Sequence, residues 1–350
     1  GKGPPMKSFT YAAMPASAYS EECWRLHQTL HESKGRFCAL RGQHAELLAK
    51  LEAQALFDNV DASARIDGIC VDPSRIHQLI DGAEPSSARE RQIAGYARTL
   101  KAFQKDPDRF PIYAATFLAM HTVLVGAPSG KKSAYRQRDY VNMMMDGKVQ
   151  RMPASPILAF ETPLYLGSAC DSLASAFADS ASRKLMMIPT FAVDVMCIKP
   201  FDEGTGRLAR LFSLLLMEKA GFVVGRYVSI DRLCERHAAA YYEALNACLG
   251  SWDARECDYS PFVELWLSLV SEAYRTLLAA MENAPAGMPT KAQQVRDLFA
   301  FRSNPMTKAQ VVAALPEVSL STVENALRAL VREGYLEKIG AGRSTAYRRK

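Results

Sequence analysis

The chain has 350 residues, 49% of them hydrophobic and 23% charged, with a formal net charge of +6. That is the make-up of a globular protein with room for roughly two or three domains. No run of about eighteen apolar residues occurs, which argues against a membrane-spanning helix and a membrane partner. The eight cysteines lack Cys-x-x-Cys or Cys/His spacing, which argues against a zinc site or a disulfide frame. The opening "GKGPPMKSFTY" has no apolar stretch of the kind a secretory signal needs, so a cytoplasmic location is expected. Residues 289–350 hold 11 Lys+Arg against 5 Asp+Glu, while the rest of the chain balances at 32 of each. The whole positive excess therefore sits in the last sixth of the sequence, which asks for an anionic partner there, most simply DNA.

In chain order, "EECWRLHQTLHESKGRF" and "RGQHAELLAKLEAQALFDN" repeat apolar residues every three or four positions and predict helices. Further helices are expected near Arg89–Phe103 and Phe110–Gly126, the second ending before a loop, "GAPSGKK". Around Asp146-Gly147 the pattern changes: Val141 and Val149 flank a strong turn signal, which predicts a β-hairpin. Helical periodicity resumes at Leu164–Ser182, Lys184–Ile198, Arg207–Ala220, Asp231–Leu249 and Ser260–Asn283. The Pro/Gly-rich "NAPAGMP" (283–289) reads as a linker.

The stretch "CIKPFDEGTGRLARL" (Cys197–Leu211) carries the chemistry. Gly204 and Gly206 flank Thr205, so successive amides can form a concave anion nest at the start of a helix. Arg207 and Arg210 lie one turn apart and can grip phosphate oxygens with guanidinium forks. Glu203, just before the nest, is placed to hold a Mg²⁺ bridging the same phosphates. The plain alternative is a glycine turn between two core helices with surface arginines, and no P-loop motif is present.

These residues resemble the signature of Fic proteins, His-x-Phe-x-[Asp/Glu]-Gly-Asn-Gly-Arg-x-x-Arg. Phe201, Glu203, Gly204, Gly206, Arg207 and Arg210 match; Lys199 stands at the His position and Thr205 at the Asn position. "HTVL…GKKSAYRQRDYV" is similar to the segment before that family's target-docking hairpin, the flap. "RHAAAYYEAL" is similar to its Arg-x-x-x-Tyr-Tyr-x-x-Leu helix, with the Arg shifted by one. "SARIDGI" resembles its inhibitory motif, with Asp67 in place of Glu and Ser63 supporting the inhibitory helix. The resemblance covers roughly residues 60–280. It implies a helical core that binds ATP with Mg²⁺ and transfers AMP to a hydroxyl side chain of a target protein. In such a protein Glu203 holds the metal, the nest (Gly204, Thr205, Gly206) and Arg207 take the α/β-phosphates, and Arg210 takes the γ-phosphate. The flap, about Tyr140–Arg151, aligns the target by strand addition. Gly206, where a Lys would mark the phosphate-transferring branch, favours AMP transfer.

Three departures bear on activity. Lysine titrates near 10.4, far from the near-neutral range of a general base, and bound phosphates favour its charged form, so transfer through Lys199 is expected to be lost or slow. Thr205 lacks the reach and donors of an amide and tolerates positive φ poorly. Asp67 is one methylene shorter than Glu, which weakens the expected inhibitory contact with Arg210; its plain alternative is a solvated acid before Gly68.

The last segment reads as helix (Lys291–Phe301), helix (Lys308–Leu315, capped by Thr307), turn, helix (capped by Ser319 or Ser321, running to Glu333) and hairpin. This resembles a winged helix, whose third helix would enter the major groove. Ser321, Thr322, Asn325 and Arg328 would face the bases, with Arg343 in the wing and Arg348, Arg349 and Lys350 near phosphates. Dimerisation or protein contact is the alternative use. The expected protein is therefore mainly α: a helical extension (1–88) with an inhibitory helix, a Fic-like core with a β-hairpin flap (89–284), and an α+β winged helix (289–350). Two functions stand side by side. One is a nucleotide-binding relative of AMP transferases impaired at Lys199. The other is a DNA-binding regulator using the core as nucleotide sensor or homodimerisation body.

Overall fold

The computed structural model describes residues 7–127, 131–145, 148–153, 155–179, 183–252, 257–284, 287, 289–300, 304–342 and 345–350. It is mainly α. Helix α1 (Glu21–Leu40) begins where the Ser20 hydroxyl accepts the Cys23 amide, and it lays Cys23, Leu26, Leu30 and Phe37 against α11 (Ser260–Asn283). Helices α2 (Ala45–Ile66), α3 (Pro73–Ile80), α4 (Ala88–Lys105) and α5 (Ala114–Leu124) follow. Asp72 caps α3 and Pro73 opens it, a start signal that the 3–4 periodicity alone does not single out in so short a helix. A hairpin, β1 (Tyr140–Met145) and β2 (Lys148–Pro153), pairs antiparallel from Tyr140↔Pro153 to Met145↔Lys148, as its valines predict. The expected Asp146-Gly147 turn lies outside the described residues.

Helices α6 (Thr162–Asp179), α7 (Lys184–Ile198) and α8 (Thr205–Lys219) form the centre. Both α7 and α8 are buried nearly all round, so the loop joining them is held between closely packed helices. One long helix expected over Asp231–Leu249 is instead two, α9 (Ile230–Arg236) and α10 (Ala238–Ser251). The chain turns at His237 (φ −104°, ψ 30°), whose carbonyl accepts the Tyr241 amide and starts the second helix.

A single apolar core runs from Phe9 to Met281. The boundary expected at 88/89 is thus no boundary in the packing, because α2 lies directly on α4 and α9. A second core, Val295 to Leu336, is built by α12 (Lys291–Ala300), β3 (Met306–Thr307), α13 (Lys308–Ala314), α14 (Leu320–Arg332), β4 (Leu336–Ile339) and β5 (Ala346–Arg349). Its three strands are antiparallel in the order β3-β5-β4. The two cores are joined by polar contacts. Arg41 Nη1 lies 2.7 Å from the Glu333 carboxylate, and Lys34 Nζ donates to the Ala220 and Glu333 carbonyls at 3.3 and 2.9 Å. Gly42 is required at this junction: a Cβ there would lie 2.2 Å from Gln293 Cβ.

Candidate functional site

The loop between α7 and α8 begins at Lys199, the one non-glycine with left-handed φ (45°) among the described residues. Such a conformation costs an L-residue about 1–2 kcal/mol and persists only when its surroundings impose it. Arg136, 1% exposed, supplies much of that constraint. Its Nε donates to Lys199 O (2.9 Å), Nη2 to Ile157 O (2.7 Å) and Nη1 to Arg138 O (2.9 Å), while its own amide donates to Pro200 O (2.9 Å). One guanidinium thus ties the loop to the segments flanking the hairpin. Phe201 is buried beneath the loop and stacks on His121, with ring centroids 3.7 Å apart and planes 9° from parallel. His121 Nε2 lies 2.8 Å from Glu203 O, to which it can only donate, and Nδ1 lies 2.6 Å from Ser133 Oγ. Both nitrogens are committed, so this histidine anchors the loop and leaves no lone pair free for a substrate.

Lys199 is half-buried, and burial first, then the Arg136 charge, pull its ammonium below the ordinary lysine range, with Asp202 opposing. Burial and Arg136 therefore act on this amine in the direction opposite to the one phosphates would impose.

Gly204 (φ 74°) turns the chain into α8, which starts at Thr205, two residues earlier than the periodicity suggests. The amides of Thr205, Gly206 and Arg207 precede the helical ladder, whose first bond runs from Leu208 N to Gly204 O, and no side chain caps them. This is an open helix N-terminus suited to an anion. Thr205 lies inside the helix with negative φ, and its hydroxyl donates back to Phe201 O (3.3 Å), so the strain expected of it does not arise. Glu203 is exposed at the mouth.

The two arginines are buried and converge. Arg207 Nη2 donates to Gln92 Oε1 (2.6 Å) and Leu124 O (3.2 Å); its Nε makes no hydrogen bond and lies 3.4 Å from Asp67 Oδ2. Arg210 Nη2 donates to Asp67 Oδ1 (3.3 Å) and reaches Ser63 O at 3.5 Å, and its Nε faces Asp231 Oδ1 at 3.7 Å. Asp67, at the end of α2, thus bridges both arginines rather than Arg210 alone, at distances longer than a tight charge-assisted bond. Asp231 is 1% exposed and accepts from Tyr96 OH at 2.6 Å; burial raises its pKa, against the pull of Arg210. Burial lowers the Arg207 pKa from its usual range, with Asp67 opposing.

Sequence reasoning missed Arg136, Gln92, Tyr96 and Asp231. Arg136 had a signal in "SAYRQRDYV"; the other three had none, since nothing local distinguishes them. No group of three or more His, Cys, Asp or Glu side chains is set to hold a metal among the described residues. A single carboxylate, Glu203, beside an uncapped helix start would fit Mg²⁺, an ion commonly held by one or two carboxylates together with phosphate oxygens and water.

In the C-terminal unit Ser319 caps α14, accepting the Thr322 amide. Ser321, Asn325 and Arg328 are exposed on one stripe, while the Thr322 hydroxyl lies 2.8 Å from Ser319 Oγ. Glu324 is neutralised by Lys308 at 2.6 Å. Arg348 donates to Glu337 (Nε, 2.8 Å) and Arg349 to Ala300 O (2.6 Å), so both have partners within the fold; Arg343 lies outside the described residues.

No family model and no curated protein matches the chain. Solved structures do match, and they show the fold. A Fic family protein from Desulfovibrio desulfuricans G20 is 19% identical over 96% of this chain and 98% of that one, with a TM-score of 0.60. A Fic domain containing signaling protein from Bacteroides thetaiotaomicron VPI-5482 is 16% identical over 73% of this chain and 99% of that one (TM-score 0.58). Fic-1 (aa134–508) from C. elegans is 18% identical over 75% and 74% (TM-score 0.57). The fold is that of the Fic domain proteins.

Proposed function

We propose that this protein binds ATP with Mg²⁺ at the start of α8 and that its transfer of AMP to target hydroxyl groups is impaired. The observation that carries the reading is the uncapped first turn of α8 behind left-handed Gly204, with buried Arg207 and Arg210 converging on one carboxylate, Asp67. A carboxylate shared by two arginines occupies the place a phosphate would take. On this reading the amides of Thr205–Arg207 and the Arg207 guanidinium bind α/β-phosphate oxygens, Arg210 binds the terminal phosphate, and Glu203 offers a metal ligand. A Mg²⁺ held by Glu203 would neutralise charge on the phosphates. Lys199 stands where a base is needed. The nucleotide's negative charge would favour its ammonium form against the lowering by burial and Arg136, so it would bind phosphate and take no proton from an attacking hydroxyl.

The test is α-³²P-labelled ATP with Mg²⁺ and cell lysate, using wild type, Asp67→Gly, and Asp67→Gly with Lys199→His, with nucleotide binding measured separately. Binding by all three, with protein labelled only after His is introduced, is the expected result. Label transferred by Asp67→Gly alone refutes the impairment, and no binding by any variant refutes the site.

A second reading concerns the C-terminal unit. Its element order and β3-β5-β4 sheet support the winged-helix reading, and the solvent stripe Ser321, Asn325, Arg328 on α14 fits DNA recognition. With Arg348 and Arg349 engaged in the fold, Arg328 and Lys350 would supply phosphate contacts. Gel-shift selection from random duplexes tests it; failure to enrich any sequence, or enrichment that survives Arg328→Ala, counts against it.

A further inference from the structure

Helix α4 divides two sites. Gln92 and Tyr96 face the arginine pair, whereas Arg91, Arg98, Lys101 and Lys105 line an open groove of about 740 Å³ on another side. The groove runs between α4 and the 79–85 turn and is also lined by Thr122, Val123, Gly126, Ala127 and Lys131. With a rise of about 1.5 Å per residue, Arg91, Arg98 and Lys105 repeat every ~10 Å along it. Arg91 is fixed by its Nε bond to Gly126 O (3.1 Å) and Lys101 by its bond to Ile80 O (2.7 Å), neutral acceptors that leave both charges uncompensated. Arg98, Lys105 and Lys131 make no ion pair among the described residues and are exposed. Five cations thus face two lining carboxylates, Asp81 and Glu84. The floor is small and aliphatic (Ala94, Ala97, Val123).

We propose that this groove docks an acidic segment of a partner protein, with aliphatic side chains on the floor and carboxylates on the basic wall. The charge pattern demands an anion. The floor favours a peptide over single-stranded nucleic acid, because no aromatic ring among the lining residues offers a platform on which bases stack. The site is separate from the nucleotide reading and stands without it.

The experiment uses the full-length protein without nucleotide. Fluorescence anisotropy is read for a Glu/Asp-rich peptide interspersed with Ala, Val and Leu, a scrambled basic peptide, and a fluorescent oligo-dT of matched charge. Saturable binding of the acidic peptide, weakened about tenfold or more in Arg98→Glu/Lys105→Glu and partly in Arg98→Gln/Lys105→Gln, supports the proposal. Both pairs are exposed, so circular dichroism should be unchanged. Oligo-dT binding tighter than the peptide, with the same dependence on Arg98 and Lys105, overturns it in favour of a nucleic-acid surface. Binding of neither probe, or peptide binding indifferent to both pairs, overturns it outright.

Discussion

Replacing Asp67 with Asn should tighten nucleotide binding, and the size of the effect can be worked from the geometry. Asn keeps the side-chain volume and the α2 end, whose backbone bonds from Asp67 N and Gly68 N to Ala64 O and Arg65 O do not involve the carboxylate. It removes a charge that lies 3.4 Å from Arg207 Nε and 3.3 Å from Arg210 Nη2 and is a quarter exposed. Partly solvated pairs at such distances contribute about 0.2–1 kcal/mol each. Together the two give about 1 kcal/mol that a terminal phosphate, on the proposed reading, would have to displace before reaching the arginines. Removing the carboxylate should therefore raise affinity for a non-hydrolysable ATP analogue with Mg²⁺ by about three- to tenfold. Asp67→Glu, one methylene longer, should close the contacts and bind more weakly than wild type. Isothermal titration across Asn, Asp and Glu should give affinities in that order. Equal or weaker binding by the Asn variant, with an unchanged circular dichroism spectrum, would refute the idea that Asp67 holds the phosphate site shut.

Other consequences follow from the packing. Arg136→Lys cannot reproduce a fork that serves three carbonyls from a buried position, and should cost about 2–4 kcal/mol in urea unfolding; a loss below about 0.5 kcal/mol would mean the loop does not depend on the clamp. Glu90 is held down to about pKa 2 by its hydrogen bonds with Arg75 and the Ser86 amide. Because its folded pKa lies below the unfolded value of 4.5, its contribution is full above that value and is lost as pH falls toward 2. Glu90→Gln should flatten the acid limb of the stability curve in that window, and an unaltered slope would contradict the assignment. Gly42→Ala places a methyl against Gln293 and should loosen the junction of the two cores by about 1–3 kcal/mol, visible in calorimetry as separation of one transition into two.

How much was legible in the chain depends on distance along it. The helices, the hairpin and the helical C-terminal unit with its strands follow from periodicity and turn residues, which act over a few positions. The grouping at the start of α8 was legible for the same reason: Gly204, Gly206, Arg207 and Arg210 fall within seven residues on one helix start. The charge excess of residues 289–350 could be counted. Where local patterning misled, the cause was also local. His237 leaves the helical backbone inside an otherwise periodic run, and α3 is short enough for its cap to be its main signature.

The sequence by itself determined which residues could meet a phosphate, because a helix start presents its amides and its one-turn neighbours whatever surrounds it. Only the tertiary structure decided what those residues meet now. Asp67, 143 positions before Arg210, is carried by α2 to both guanidinium groups, and Asp231 and Tyr96 close the far side of Arg210. Arg136, 63 positions before Lys199, imposes a left-handed backbone that no lysine adopts for its own sake. The basic groove exists because α4 and the 79–85 turn enclose a face that in sequence is only scattered charge. Buried charge and strained backbone are tolerated only where distant segments compensate them, so their positions are properties of the packing.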